Sequence, residues 1–128
     1  MEKTIINTKN APAPIGPYNQ GVKINNMLFI SGQVAMDPLN NNELINSSIT
    51  DETHQVMKNL SAILKEAEMD FTNVVKTSIF LSDMSYFNEV NNIYGSYLKE
   101  GEEPARETVA VKTLPKQVNV EISMIAAD

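Results

Sequence analysis

Four stretches of this sequence carry side chains capable of chemistry in places where a purely structural role is awkward. Arg106, in Pro104-Ala105-Arg106, is presented at the start of an otherwise apolar strand. A guanidinium there is either half of a surface ion pair or a clamp for an anion, because its planar fork matches a carboxylate bidentately. Glu121, inside Val120-Glu121-Ile122, is either an edge-strand charge that discourages aggregation or a buried acid. Ser31-Gly32 interrupts a strand, marking either a β-bulge or a place where backbone donors meet a ligand oxygen. Tyr18, directly after a proline-rich loop, either plugs a core or faces a site.

Composition narrows what these residues can do. The 128 residues include no cysteine and one histidine. Disulfides, thiolate zinc sites, thiol nucleophiles and multi-histidine metal centres are therefore excluded. Ten basic against sixteen acidic residues, a net charge of −6, argue against phosphate-backbone binding. No Gly-x-Gly-x-x-Gly, phosphate loop or His-Glu-x-x-His occurs, and neither a cofactor nor a metal is expected. No apolar run approaches the ~18 residues of a membrane span. Met1-Glu2-Lys3-Thr4 lacks a basic-then-apolar leader profile, so a cytoplasmic location is expected. His54 falls off the apolar stripe of its helix and reads as solvated. Glu102-Glu103 reads as a solvated charge pair.

The elements that must position these residues follow from pattern. Thr4–Ile6 is a short strand, and Asn10–Pro17 holds three prolines and a glycine that enforce an irregular loop. Strands Gly21–Ile24 and Met27–Ser31 flank an Asn25-Asn26 turn, and the second resumes as Val34–Met36. Asp37–Asn46 reads as an exposed loop. Thr50 is the expected N-cap of a helix burying Val56, Met57, Leu60, Ile63, Leu64 and Ala67. A strand follows over Val74–Leu81, then a helix with Phe87, Val90, Tyr94, Tyr97 and Leu98 on its core stripe. Strands over Thr108–Thr113 and Val118–Ala126 close the chain. The expected architecture is α+β, one domain over residues 1–128, with both helices on one face of a sheet.

The last strand sets Val118, Val120, Ile122 and Met124 against the helices, leaving Asn119, Glu121, Ser123 and Ile125 on the other face. The strand Val74–Leu81 sets Val75, Thr77, Ile79 and Leu81 against Val74, Lys76, Ser78 and Phe80, so neither of its faces is plainly polar. Covering such a mixed second face by self-association is the economical solution.

Together these stretches resemble the RidA/YjgF family of reactive-intermediate (enamine/imine) deaminases. The resemblance is carried in order by Ala13-Pro14-Ile15-Gly16-Pro17-Tyr18-Asn19-Gln20-Gly21, Ile30-Ser31-Gly32-Gln33, Val74-Val75-Lys76-Thr77, Phe87–Tyr94, Pro104-Ala105-Arg106 and Val120-Glu121-Ile122. It implies a chorismate-mutase-like fold: one mixed sheet of about six strands with two helices on one face, assembled as a homotrimer with active sites between subunits. It also implies cofactor-free hydrolysis of 2-iminobutanoate and 2-iminopropanoate, products of pyridoxal-phosphate enzymes, to 2-oxo acids and ammonium. Arg106 matches the arginine that clamps the substrate carboxylate. Ser31 and Gly32 match residues on the ligand's other side, Tyr18 and Asn91 match pocket residues, and Glu121 matches the acid that positions a water. Thr108 stands where many relatives carry a cysteine. The alternative is a non-enzymatic trimer that senses small carboxylates or binds a partner; a ribonuclease fits poorly with the acidic charge.

Overall fold

Asn25 adopts a left-handed conformation (φ 52°) and turns β2 (Gly21–Ile24) back into β3 (Met27–Gln33), as the Asn25-Asn26 pair predicts. The fold is described here for residues 2–128 of a computed structural model. β1 (Lys3–Ile6) lies antiparallel to β2, with Ile5 opposite Val22. Met36–Asp37 (β4) and Glu43–Leu44 (β5) then pair as a small separate hairpin, so the stretch expected to be all loop contains a two-stranded sheet.

Helix α1 spans Ile49–Glu66. Its N-cap is Ser48 rather than Thr50, and the Ser48 side chain accepts the Asp51 amide at 3.0 Å. Thr50 lies inside the helix, where its hydroxyl donates to Glu89 at 2.9 Å. Glu89 belongs to α2 (Phe87–Ser96), so this bond ties the two helices together. Val56, Met57, Leu60, Ile63 and Leu64 are all fully buried, as their spacing predicts.

β6 (Val74–Leu81), β7 (Ala105–Ala110) and β8 (Val120–Ala127) complete a six-stranded mixed sheet in the order β1-β2-β3-β8-β6-β7. Only β6 and β7 are parallel, joined by the α2 crossover; β6 and β3 both pair with β8 antiparallel. β7 begins at Ala105, earlier than the expected Thr108, because it must start level with Lys76 of β6.

Both helices cover one face of the sheet. Val120, Ile122, Met124 and Ala126 of β8 point beneath them, as expected. In β6 the alternation breaks: a register shift between Val74 and Lys76 buries Val74 and leaves Val75 48% exposed, reversing the expected facing of Val75. Such an irregularity moves a side chain to the opposite face.

The other face is open. Across it run, strand by strand, Ile5, Val22, Phe29, Ile125 and Lys76, an apolar row ending in a charge. Ile5 and Phe29 are each 44% exposed. Lys76 pairs with Glu107 at 2.9 Å, and Ser78 hydrogen-bonds the same carboxylate.

His54 differs from its expected solvated state. It is half-buried, and its Nδ1 hydrogen-bonds the Tyr97 hydroxyl at 2.7 Å, with Phe71 against the Tyr97 ring. Among the described residues no helix is long and apolar enough to cross a membrane, and no cluster of side chains is arranged to hold a metal.

Candidate functional site

Ser31-Gly32 forms a bulge. Ile30 stands opposite Met124 and Gln33 opposite Ile122, so two residues of β3 face one of β8. The Ser31 amide bonds the Gln20 carbonyl at 2.9 Å, and its hydroxyl donates to Asn19 O at 2.5 Å, leaving the hydroxyl oxygen's lone pairs available. Glu121 lies directly against Gly32. A β-carbon at Gly32 would sit 2.7 Å from Glu121 Oε2 and 2.8 Å from Cδ. Only glycine permits that approach.

Glu121 is half-buried, and burial pushes its carboxyl up from its ordinary value. It lines a cleft of about 470 Å³ whose walls include Ile15, Tyr18, Ser31, Gly32 and Lys116. Tyr18 is 46% exposed and plugs no core; its ring packs beside Gly16 and its amide bonds Gly16 O at 2.8 Å. The proline loop that forms this wall is fixed by Gln20, a buried amide that sequence reasoning missed. Its Nε2 donates to Thr8 O, Ala11 O and Pro12 O at 2.9–3.1 Å, and its Oε1 accepts the Thr8 amide at 2.7 Å. A polar residue between a rigid loop and a strand was the available signal.

Arg106 and Asn91 lie elsewhere. Arg106 Nη1 donates to Asn91 Oδ1 at 2.6 Å. The guanidinium carbon stands 5.6 Å from the Phe87 ring centre and 5.4 Å from that of Tyr94, within cation–π range of both. Tyr94 is held in turn by its hydroxyl, which bonds Thr77 Oγ1 at 3.0 Å. Burial pushes the Tyr94 hydroxyl up despite the opposing effects of Thr77 and Arg106. The α2 stripe expected to be plain core therefore splits: Val90 and Tyr94 are buried, while Phe87 is half-buried and cradles the arginine. The surrounding pocket, about 370 Å³, also receives Leu98, Glu103 and Pro104.

Among the described residues Arg106 makes no ion pair, which removes the surface-pair alternative. Of the adjacent acids, Glu102 pairs with Lys99 at 3.2 Å and Glu103 accepts the Gly101 amide at 2.8 Å. An oriented guanidinium, half-buried and without an ion-pair partner, keeps N–H donors whose planar geometry matches that of a carboxylate.

The two groups of residues do not meet within one chain. Arg106 pairs with Thr77, whose side chain points into the core, and its own side chain contacts α2; it stands on the helix-covered face. Glu121 pairs with Phe80 and alternates with the buried Val120 and Ile122, so it stands on the open side of the sheet. β6 lies between their strands, adding a separation of about 10 Å across two strand spacings. Tyr18, Ser31, Gly32 and Glu121 thus form one cleft, and Asn91 and Arg106 form another.

Comparisons with known proteins agree with this architecture. The sequence pattern of the endoribonuclease L-PSP family matches residues 8–128. A Lactococcus lactis protein carrying a regulator's name, AldR, is 50% identical over 122 residues, 95% of each chain. The human 2-iminobutanoate/2-iminopropanoate deaminase is 44% identical over 124 residues, covering 97% of this chain and 89% of the human one. The crystal structure of RidA from an Antarctic Psychrobacter is 38% identical and superposes with a TM-score of 0.92, covering 98% of this chain and 99% of that one. The chain belongs to the RidA/YjgF family.

Proposed function

We propose that this protein hydrolyses 2-iminobutanoate and 2-iminopropanoate to the 2-oxo acid and ammonium, in sites shared between copies of a homotrimer. The observation that carries the reading is Arg106, braced by Asn91 and two aromatic rings and making no ion pair among the described residues, in a chain with the Glu121–Gly32 cleft on the opposite face. Each chain thus has both halves of a site, and a second chain is needed to join them. The apolar row Ile5, Val22, Phe29 and Ile125 supplies a surface for that association.

In this reading Arg106 holds the substrate carboxylate, a charge-assisted interaction of about 1.5–3 kcal/mol that selects small 2-imino acids. The imine carbon is already electrophilic, so no covalent nucleophile is required. Ser31 and Gly32 line the ligand's other side, with Tyr18 and Asn91 completing the pocket. The Glu121 carboxylate accepts a proton from water, whose oxygen adds to the C=N carbon. Glu121 returns that proton to the nitrogen, giving a carbinolamine; it then carries the hydroxyl proton to the same nitrogen, which leaves as ammonia as the C=O forms. Ammonia takes up a proton to give ammonium.

The test couples the purified protein to threonine dehydratase with semicarbazide as imine trap. A drop in semicarbazone formation is expected; undiminished trapping overturns the reading. The similarity to AldR favours one second reading, a trimer that binds small 2-oxo acids as signals without turnover. Saturable 2-oxo acid binding with undiminished trapping would support it.

A further inference from the structure

Glu52 is a buried acid that the proposed chemistry leaves without a role. It lies in the first turn of α1, is 1% exposed, and among the described residues makes no ion pair. All of its side-chain hydrogen-bond partners lie on Asn119 and Val120, at the entry to β8. Glu52 Oε2 accepts the backbone N–H of Asn119 at 2.8 Å and that of Val120 at 3.1 Å. Its Oε1 accepts Asn119 Nδ2 at 3.0 Å. The same asparagine is gripped from the end of β6: its carbonyl accepts the Ser82 amide at 3.0 Å, and its Oδ1 accepts the Ser82 hydroxyl at 2.9 Å.

The next residue along the strand is Glu121. We propose that Glu52 is a positioning residue for Glu121, fixing the backbone at Asn119–Val120 so that the Glu121 carboxylate rests on Gly32 in its cleft. The inference rests on the role proposed above for Glu121. Two features favour a dedicated anchor here. Lys116 and Gln117, just upstream, both take left-handed conformations (φ 57° and 55°), which are disfavoured for residues with a β-carbon. β8 starts three residues beyond this turn, and the Glu52 bonds fall on the two residues at that start. Charge-assisted bonds from a carboxylate to two consecutive amides are among the strongest the chain can make there. The anchor also comes from the helix-covered side, so it can fix the strand without entering the cleft.

The experiment compares Glu52→Ala and Glu52→Gln with the unmodified protein, in wild-type and Glu121→Gln backgrounds. It reads imine hydrolysis, thermal melting, and Glu121 titration by carbon-13 NMR of labelled glutamate. Glu52→Ala is expected to lower kcat roughly ten- to hundredfold, the scale of an ångström-level misplacement. KM should stay within about twofold, since carboxylate capture by Arg106 is untouched. The Glu121 midpoint should fall toward that of an ordinary carboxyl as the group leaves its buried seat. Glu52→Gln keeps one acceptor oxygen for the amides and should show a smaller change in both. In the Glu121→Gln background the Glu52 substitutions should cost no further activity.

An unchanged kcat and Glu121 midpoint in a folded Glu52 variant overturns the proposal. So does an equal loss of kcat in both backgrounds. If Glu52→Ala does not fold, Glu52→Gln carries the same measurements. If the unmodified protein hydrolyses no imine, the proposed function fails, and the Glu121 titration alone decides whether Glu52 positions it.

Discussion

Glu121 Oε2 lies 2.7 Å from the point that a β-carbon on Gly32 would occupy, so the acid and the bulge are fitted to one another. The nearest atoms are the far end of a flexible side chain, and Gly32 is exposed. Gly32→Ala should therefore move the carboxylate rather than the backbone. Melting should shift by only a few degrees, corresponding to less than about 1 kcal/mol. Imine hydrolysis should fall by roughly ten- to hundredfold. Paired melting curves and coupled assays check this.

Arg106→Ala should abolish hydrolysis while preserving the fold. Its contacts to Phe87 and Tyr94 are partly exposed cation–π interactions, each contributing about 0.5–1 kcal/mol. Arg106→Lys keeps the charge but loses the planar fork and should recover little activity. Asn91→Ala frees the guanidinium to reorient, and KM should rise several-fold with kcat less affected. Steady-state kinetics on all three, beside circular dichroism, separate these effects.

The raised Glu121 carboxyl gives two pH effects of defined sign. As a base it must be ionised, so kcat/KM should climb with pH through the raised value and lose that limb in Glu121→Gln. For stability, the folded chain holds this proton more tightly than the unfolded chain. That contribution is fully present below the unfolded value and is lost as pH rises through the folded one. Relative to wild type, Glu121→Gln should therefore gain stability from acid toward neutral pH. Melting temperatures across that range test the direction.

Mixing Arg106→Ala and Glu121→Gln chains tests the shared site directly. Arg106→Ala alone should be inactive, and Glu121→Gln alone should keep only a small residual rate. Co-refolded at equal amounts, they should recover roughly one quarter of wild-type activity, because one interface in four joins an intact Arg106 to an intact Glu121. A site contained within one chain would recover none.

Local chemistry made part of this architecture legible. The Asn25-Asn26 turn, the interruption at Ser31-Gly32 and the alternation of β8 each follow from residue type and period. The position of Val75 was not legible, because the register shift depends on how β6 meets β8 rather than on its own residues. Glu52 was readable only in part. It precedes Val56 and Leu60 by one and two helical turns, on the apolar stripe, yet an acid in a first turn is equally explained by the helix dipole. Its partners stand 67 and 68 residues away, beyond any local pattern. His54 was misread for the same reason, since Tyr97 lies 43 residues distant. The site residues were named through resemblance; their division between two faces required the sheet register.

That division has a kinetic consequence under the proposed chemistry. With Arg106 and Glu121 on opposite sides of one sheet, a newly made chain is inert until it meets others. Specific activity should fall on dilution, and the cell's concentration of the protein would set both how many sites exist and whether any exist at all.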